Sequence, residues 1–211
     1  MKKLAVLLLI GVMAFSSVAC GNSGETGKNT QQNSEATNNG GEQNTEIADA
    51  NDILTKVWTE YNTKAGDDLK FPIGGGNVEN MIMDVPAKFD LTLEGAQDTL
   101  SNSYCMPADT IAMTDDIATM FHMMNANTFS GAAYHVTEVA NVQTVADSIK
   151  NATLNNQWMC GFPEQLIIVT IGDDYVVSAF GNGQLIETFK TAITTVYGNA
   201  AVVTVEESLA Q

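Results

Sequence analysis

The stretch "LIIVTIGDDYVVSAF", residues 166–180, decides how this chain folds. Its first six residues have no regular polar face, so they read as a strand buried on both sides. Gly172, Asp173 and Asp174 are turn residues, and residues 175–180 resume a β-forming run, so the whole reads as a hairpin. Upstream, "TFSGAAYHV" at 128–136 reads as a further strand. Phe129 and Tyr134 are β-formers there, and Gly131, Ala132 and Ala133 admit a closely packed layer. Between these strands, Asn141 is expected to cap a helix whose Val142, Val145, Ala146 and Ile149 form one apolar stripe. Downstream, Leu185, Ile186, Phe189, Ile193 and Val196 share one face of a last helix that Gly198 stops, and "AVVTV" at 201–205 can close the sheet.

From residue 128 onward the order is strand, helix, strand, strand, helix, strand, which is the ferredoxin-like split βαβ order. Right-handed crossovers then predict four antiparallel strands with both helices on one face, leaving the other face for N-terminal helices. The expected fold class is α+β.

The preceding part reads as mainly helical. Ile53, Leu54, Val57, Trp58 and Tyr61 recur at helical spacing over residues 46–62. "FPIGGG" at 71–76 lacks the Lys-Ser/Thr of a phosphate loop and reads as a turn. Residues 81–90 suggest an irregular strand and residues 91–101 a second helix. A third helix is expected from Thr114, which would cap a first turn holding Asp115 and Asp116, to about Asn125. Residues 46–125 thus form an expected helical part and 126–211 a sheet-forming part of one domain, long enough for a real core.

Ahead of that domain, Lys2 and Lys3 precede an apolar run over 4–15 and the small residues 16–19, the pattern of a cleaved signal peptide at 1–19. The run falls short of the ~20 residues that cross a bilayer core. Ala19-Cys20-Gly21 resembles a bacterial lipobox, although Ser17 stands where leucine is usual. Residues 21–45 contain Ala36 as their sole apolar side chain and read as a disordered tether reaching roughly 25–30 Å. A diacylglyceryl group on Cys20 supplies the two chains that stable anchoring needs. It would place the protein on the outer face of the cytoplasmic membrane and leave Cys105 and Cys160 as a possible disulfide or as two thiols.

The formal charge is −16, every basic residue is lysine, and loss of Lys2 and Lys3 with the signal takes the mature chain to about −18. Nucleic acid, which needs a basic surface, and bidentate phosphate clamping, which wants arginine, are disfavoured as partner chemistries. Docking on anionic lipid head groups is disfavoured for the same reason.

"HMMNANTFSGAAYHV" at 122–136 and "NQWMCGFPEQL" at 156–166 resemble a group of uncharacterised lipoproteins of Gram-positive bacteria, over about residues 104–197. The resemblance implies the extracytoplasmic address and a folded C-terminal domain, and it carries no catalytic or binding residue across. No Gly-x-Ser-x-Gly motif occurs, and nothing in the sequence joins Cys105 or Cys160 to His122 or His135 as a nucleophile pair, so no catalytic residue is assigned.

Met120, Met123 and Met124 around His122 offer thioether and imidazole ligands of the kind that suit Cu(I). The spacing of Met113, Met120 and Met124 is equally that of a core stripe on a helix, so copper handling is the alternative reading. The expected function is a membrane-tethered, non-enzymatic binding or interaction module for a small molecule or protein, without a cofactor. Its candidate ligand edge lies where three connections meet in a split βαβ sheet. Those connections carry Asn125 and Asn127, then Trp158 and Phe162, then Asn182 and Gly183. The last helix also begins there, so its free N–H groups are expected to receive a carboxylate or carbonyl.

Overall fold

The structure, a computed structural model, describes residues 46–209. The expected signal peptide, Cys20 and the tether lie outside the described residues. The domain opens with α1 (Ala50–Lys64), whose cap Asp49 accepts a hydrogen bond from the Asp52 amide at 2.7 Å. Three short strands follow, β1 (Ile73–Gly75), β2 (Ile82–Met83) and β3 (Ala87–Lys88), and then helices α2 (Ala96–Ser103) and α3 (Ala108–Ile111). The remainder is β4 (Thr114–His122), β5 (Phe129–Val136), α4 (Val142–Leu154), β6 (Gln165–Ile171), β7 (Tyr175–Gly181), α5 (Gly183–Tyr197) and β8 (Ala201–Ser208). All eight strands join one antiparallel sheet in the order β2-β1-β4-β5-β7-β6-β8, with β3 pairing separately with β4. The fold is therefore α+β, as expected.

Its strand order departs from the ferredoxin-like one. There the closing strand steps back to pair with the first; here β8 pairs with β6, because the free edge of β5 is taken by β4. β5 and β6 run parallel with β7 between them, and β7 and β8 run parallel with β6 between them. The crossovers through α4 and α5 thus step the same way across the sheet from strands of opposite direction. Right-handed connections then place the two helices on opposite faces.

The core divides accordingly. Ile167, Val169, Val177 and Ala179 face Phe189 and Ile193 of α5 together with Leu54, Val57 and Trp58 of α1. Leu166, Ile168, Val176 and Phe180 face Val145 and Ile149 of α4 together with Leu100 of α2. The N-terminal helices are thereby split between the faces, and the domain is a helix-sheet-helix sandwich.

Residues 114–122 are a strand where a helix is expected, so the part before residue 126 supplies four strands of the sheet. Ala118 and Met120 enter one core while Ile117 enters the other. A strand covered on both faces loses its period-2 alternation, and its apolar residues can then mimic helical spacing. Asp115 and Asp116 lie at a bulge in this strand rather than in a helix's first turn.

Gly74 and Gly75 of "FPIGGG" lie in a strand, β1, where a turn is expected, and Gly76 lies at the bend just after it. A Cβ on Gly75 would stand 2.3 Å from the Val85 carbonyl oxygen and 2.5 Å from the Ala87 nitrogen, so only glycine admits that backbone. Asn141 precedes α4 without making a side-chain cap hydrogen bond, whereas Asn182 caps α5 through its Oδ1.

Candidate functional site: the loop end of the sheet

β5 and β6 begin, and β7 ends, at one end of the sheet, so the connections β4–β5, α4–β6 and β7–α5 meet there wherever β8 is placed. The expected juxtaposition of Asn125, Asn127, Phe162 and Asn182 is present. Together with Thr128 and Glu164 they line a recess of about 150 Å³.

The amides work inward. Asn125 donates from Nδ2 to the Cys160 carbonyl at 3.0 Å, and Asn127 donates from Nδ2 to the Met159 carbonyl at 2.8 Å and the Gly161 carbonyl at 3.0 Å. Asn125 Oδ1 in turn accepts the Asn127 amide at 3.0 Å. The Asn182 amide donates to the Thr128 carbonyl at 2.9 Å, tying the third connection to the first. Polar side chains expected to receive a ligand are thus stitches between loops, an alternative use of asparagine in turns. Trp158 is half-buried beneath them, its ring 5.0 Å from that of Phe180.

The N-terminus of α5 is filled from within. Glu164 accepts from the Gly183 amide at 2.8 Å and from Asn182 Nδ2 at 3.2 Å, so the carboxylate expected from a ligand is the protein's own. Sequence reasoning missed Glu164, because no local signal places a residue at the start of one strand beside the start of a helix 19 positions later. It also passed over Met159. Met124, Met159 and Phe162 are 82%, 79% and 70% exposed, the three most exposed large apolar side chains among the described residues. All three ride on the loops that Asn125 and Asn127 fasten.

Of the methionines around His122, Met120 and Met124 differ sharply in environment. Met120 is fully buried in the core, while Met124 stands in solvent. His122 stacks on Phe71 at 5.0 Å, and its Nδ1 accepts from the Met124 and Asn125 amides at 3.1 and 3.3 Å. The Nδ1 lone pair is thereby engaged by two backbone N–H groups.

Cys105 and Cys160 are separate thiols, the first buried and the second exposed. Burial pushes the Cys105 thiol up to about 11, far from thiolate formation at neutral pH. Among the described residues neither thiol is hydrogen-bonded to a histidine.

At the opposite end of the sheet His135 lies between two carboxylates, with Nδ1 2.5 Å from Asp115 and Nε2 3.3 Å from Asp174. Tyr175 packs on its ring at 4.9 Å. The hydrogen bond to Asp115 chiefly raises the imidazole above its ordinary value, against the opposing effect of burial. A raised histidine stabilises the fold fully below its unfolded value, about 6.5. That contribution is lost as pH rises through the folded value. His135→Gln should therefore lower stability in denaturant titrations near pH 5 and match the parent near pH 9; a deficit constant over that range would show that the imidazolium is not the source.

Comparison of the chain with protein-family models, with curated proteins and with solved structures finds no match.

Proposed function

We propose that this is a lipid-anchored extracytoplasmic binding module, held on a tether from Cys20, that engages its partner through the loop end of the sheet. One observation carries the reading: the side-chain amides of Asn125 and Asn127 fasten the first two connections together, the backbone N–H of Asn182 ties the third to the first, and apolar side chains on the fastened loops are left outside. A folded core normally hides such side chains, and several exposed together mark an interaction site. Order imposed before binding lowers the entropic cost of association. The anchor is supported by the signal-like residues 1–19, the cysteine that follows and the polar stretch after it.

Two experiments test the two halves. Cys20→Ser should move the protein from the detergent phase to the aqueous phase or leave it unprocessed; unchanged partitioning removes the anchor. A photoreactive amino acid placed at Phe162 should give protein adducts on illuminated cells. The same residue at Val139, exposed at the other end of the sheet, should give none. Equal labelling at both positions, or none at either, overturns the binding edge.

A further inference from the structure

Resting on that reading, we infer that the partner at the loop end is a polypeptide segment that carries lysine or arginine beside aliphatic or aromatic side chains. The recess beside Phe162 does not end at Glu164. That residue also lines a second recess of about 280 Å³ with Glu206 and Glu207, which shares Gln165 and Gly183 with a third of about 400 Å³ bordered by Glu187 and Asp68. An open groove therefore runs from the apolar side chains past five carboxylates.

Two lysines reach it, Lys190 between Glu187 and Glu206 at 2.8 and 2.7 Å, and Lys150 on Glu207 at 2.6 Å. Among the described residues Glu164 and Asp68 have no lysine partner, so these groove-lining groups are net negative.

Among the described residues no lysine stands without a carboxylate partner, and the chain has no arginine. A lipid surface is the rival occupant for exposed methionine and phenylalanine. Seating them in a bilayer would press Glu164, Glu206 and Glu207 against head groups that are themselves negative, with every lysine of the described residues already paired to a carboxylate. A basic, apolar segment meets both halves of the surface: its apolar side chains cover Met124, Met159 and Phe162, and its cations lie along the carboxylates.

The test uses the full chain with carbon-13 methionine methyls, and three probes. These are a peptide alternating leucine with lysine, a peptide of the same length alternating leucine with glutamate, and phosphatidylcholine vesicles containing phosphatidylglycerol. The leucine-lysine peptide should shift Met124 and Met159 while leaving in place Met83, exposed on the edge strand β2, and Met81 just before that strand. Phe162→Ser should weaken that binding by roughly tenfold, the loss of about one well-packed side chain from an interface. Added salt should weaken it further, as screening requires.

Equal binding by the leucine-glutamate peptide, equal shifts at Met81 and Met83, or shifts produced by the vesicles would each overturn the inference, and so would no response to any probe. The binding edge itself is judged separately. Adducts at position 162 in cells together with failure of the leucine-lysine peptide would discard the partner chemistry and keep the module, whereas absence of those adducts would discard both.

Discussion

Phe129→Ala should lower the unfolding free energy by about 3–5 kcal/mol, the cost of deleting a fully buried aromatic from a core that only partly collapses. Phe129 opens β5, and its ring meets Phe189 of α5 edge-on at 5.2 Å and Phe71 at 5.3 Å. It thus joins the sheet to the helix layer directly beneath the loop end. Domains of this size keep roughly 5–15 kcal/mol in all, so one such loss takes a large share of what holds the fold. Urea denaturation of Phe129→Ala, Phe189→Ala and the double variant should show a coupling of about 0.5–1.5 kcal/mol, the contribution of an aromatic pair beyond area burial. A loss below about 1 kcal/mol in the single variant would mean the core there is loosely packed.

Gly181→Ala should cost roughly 3 kcal/mol or more, from backbone overlap added to strain. A Cβ at Gly181 would lie 2.3 Å from the Thr128 carbonyl oxygen and 2.9 Å from the Phe129 Cα, and its φ of +154° is one that side chains rarely adopt. Relief requires β7 to separate from the β4–β5 turn, breaking the bond from the Asn182 amide to Thr128. Faster hydrogen exchange at Asn182 and loss of crosslinking at position 162 should accompany the drop in stability. Gly172→Ala is the comparison: its φ is +60°, and nothing stands within 4 Å of the added carbon. It should cost only about 1–2 kcal/mol, the ordinary penalty of a left-handed residue. Equal losses at the two positions would remove the argument from close approach.

The hairpin at 166–180 is legible because two β-forming runs flank a Gly-Asp-Asp turn, and the helices around it because each has a single apolar period and a clear stop. β4 is not, and its misreading travels. With residues 114–122 taken as a helix, β5 has an open edge, and the closing strand has every reason to return to it. Once those residues are a strand, that edge is filled, β8 goes to β6, and α4 and α5 separate to opposite faces. The loop end survives the error because the starts of β5 and β6 and the end of β7 do not depend on either change. Residue types in those loops were legible, but not their use. Asparagine presents the same amide to a ligand and to a neighbouring carbonyl, and only the spatial meeting of residues 125–127 with 159–161 decides between them. The contribution of Glu164 depends likewise on a helix far along the chain.

The direction of α1 bears on how the domain would carry load. Its first amide, that of Ala50, donates to Asp116 at 2.7 Å, at the end of the sheet remote from the loops. A partner held at the loops and a tether drawn taut at α1 would pull along nearly the same line as the strands. Tension of that kind loads the side-chain packing of α1 against α5 and the sheet along its length, and it loads the ladder hydrogen bonds, which lie across the strands, together. Pulling on one edge strand would instead open them one at a time. The anchor and binding edge proposed above would then load the domain in shear along its strands rather than by peeling one edge.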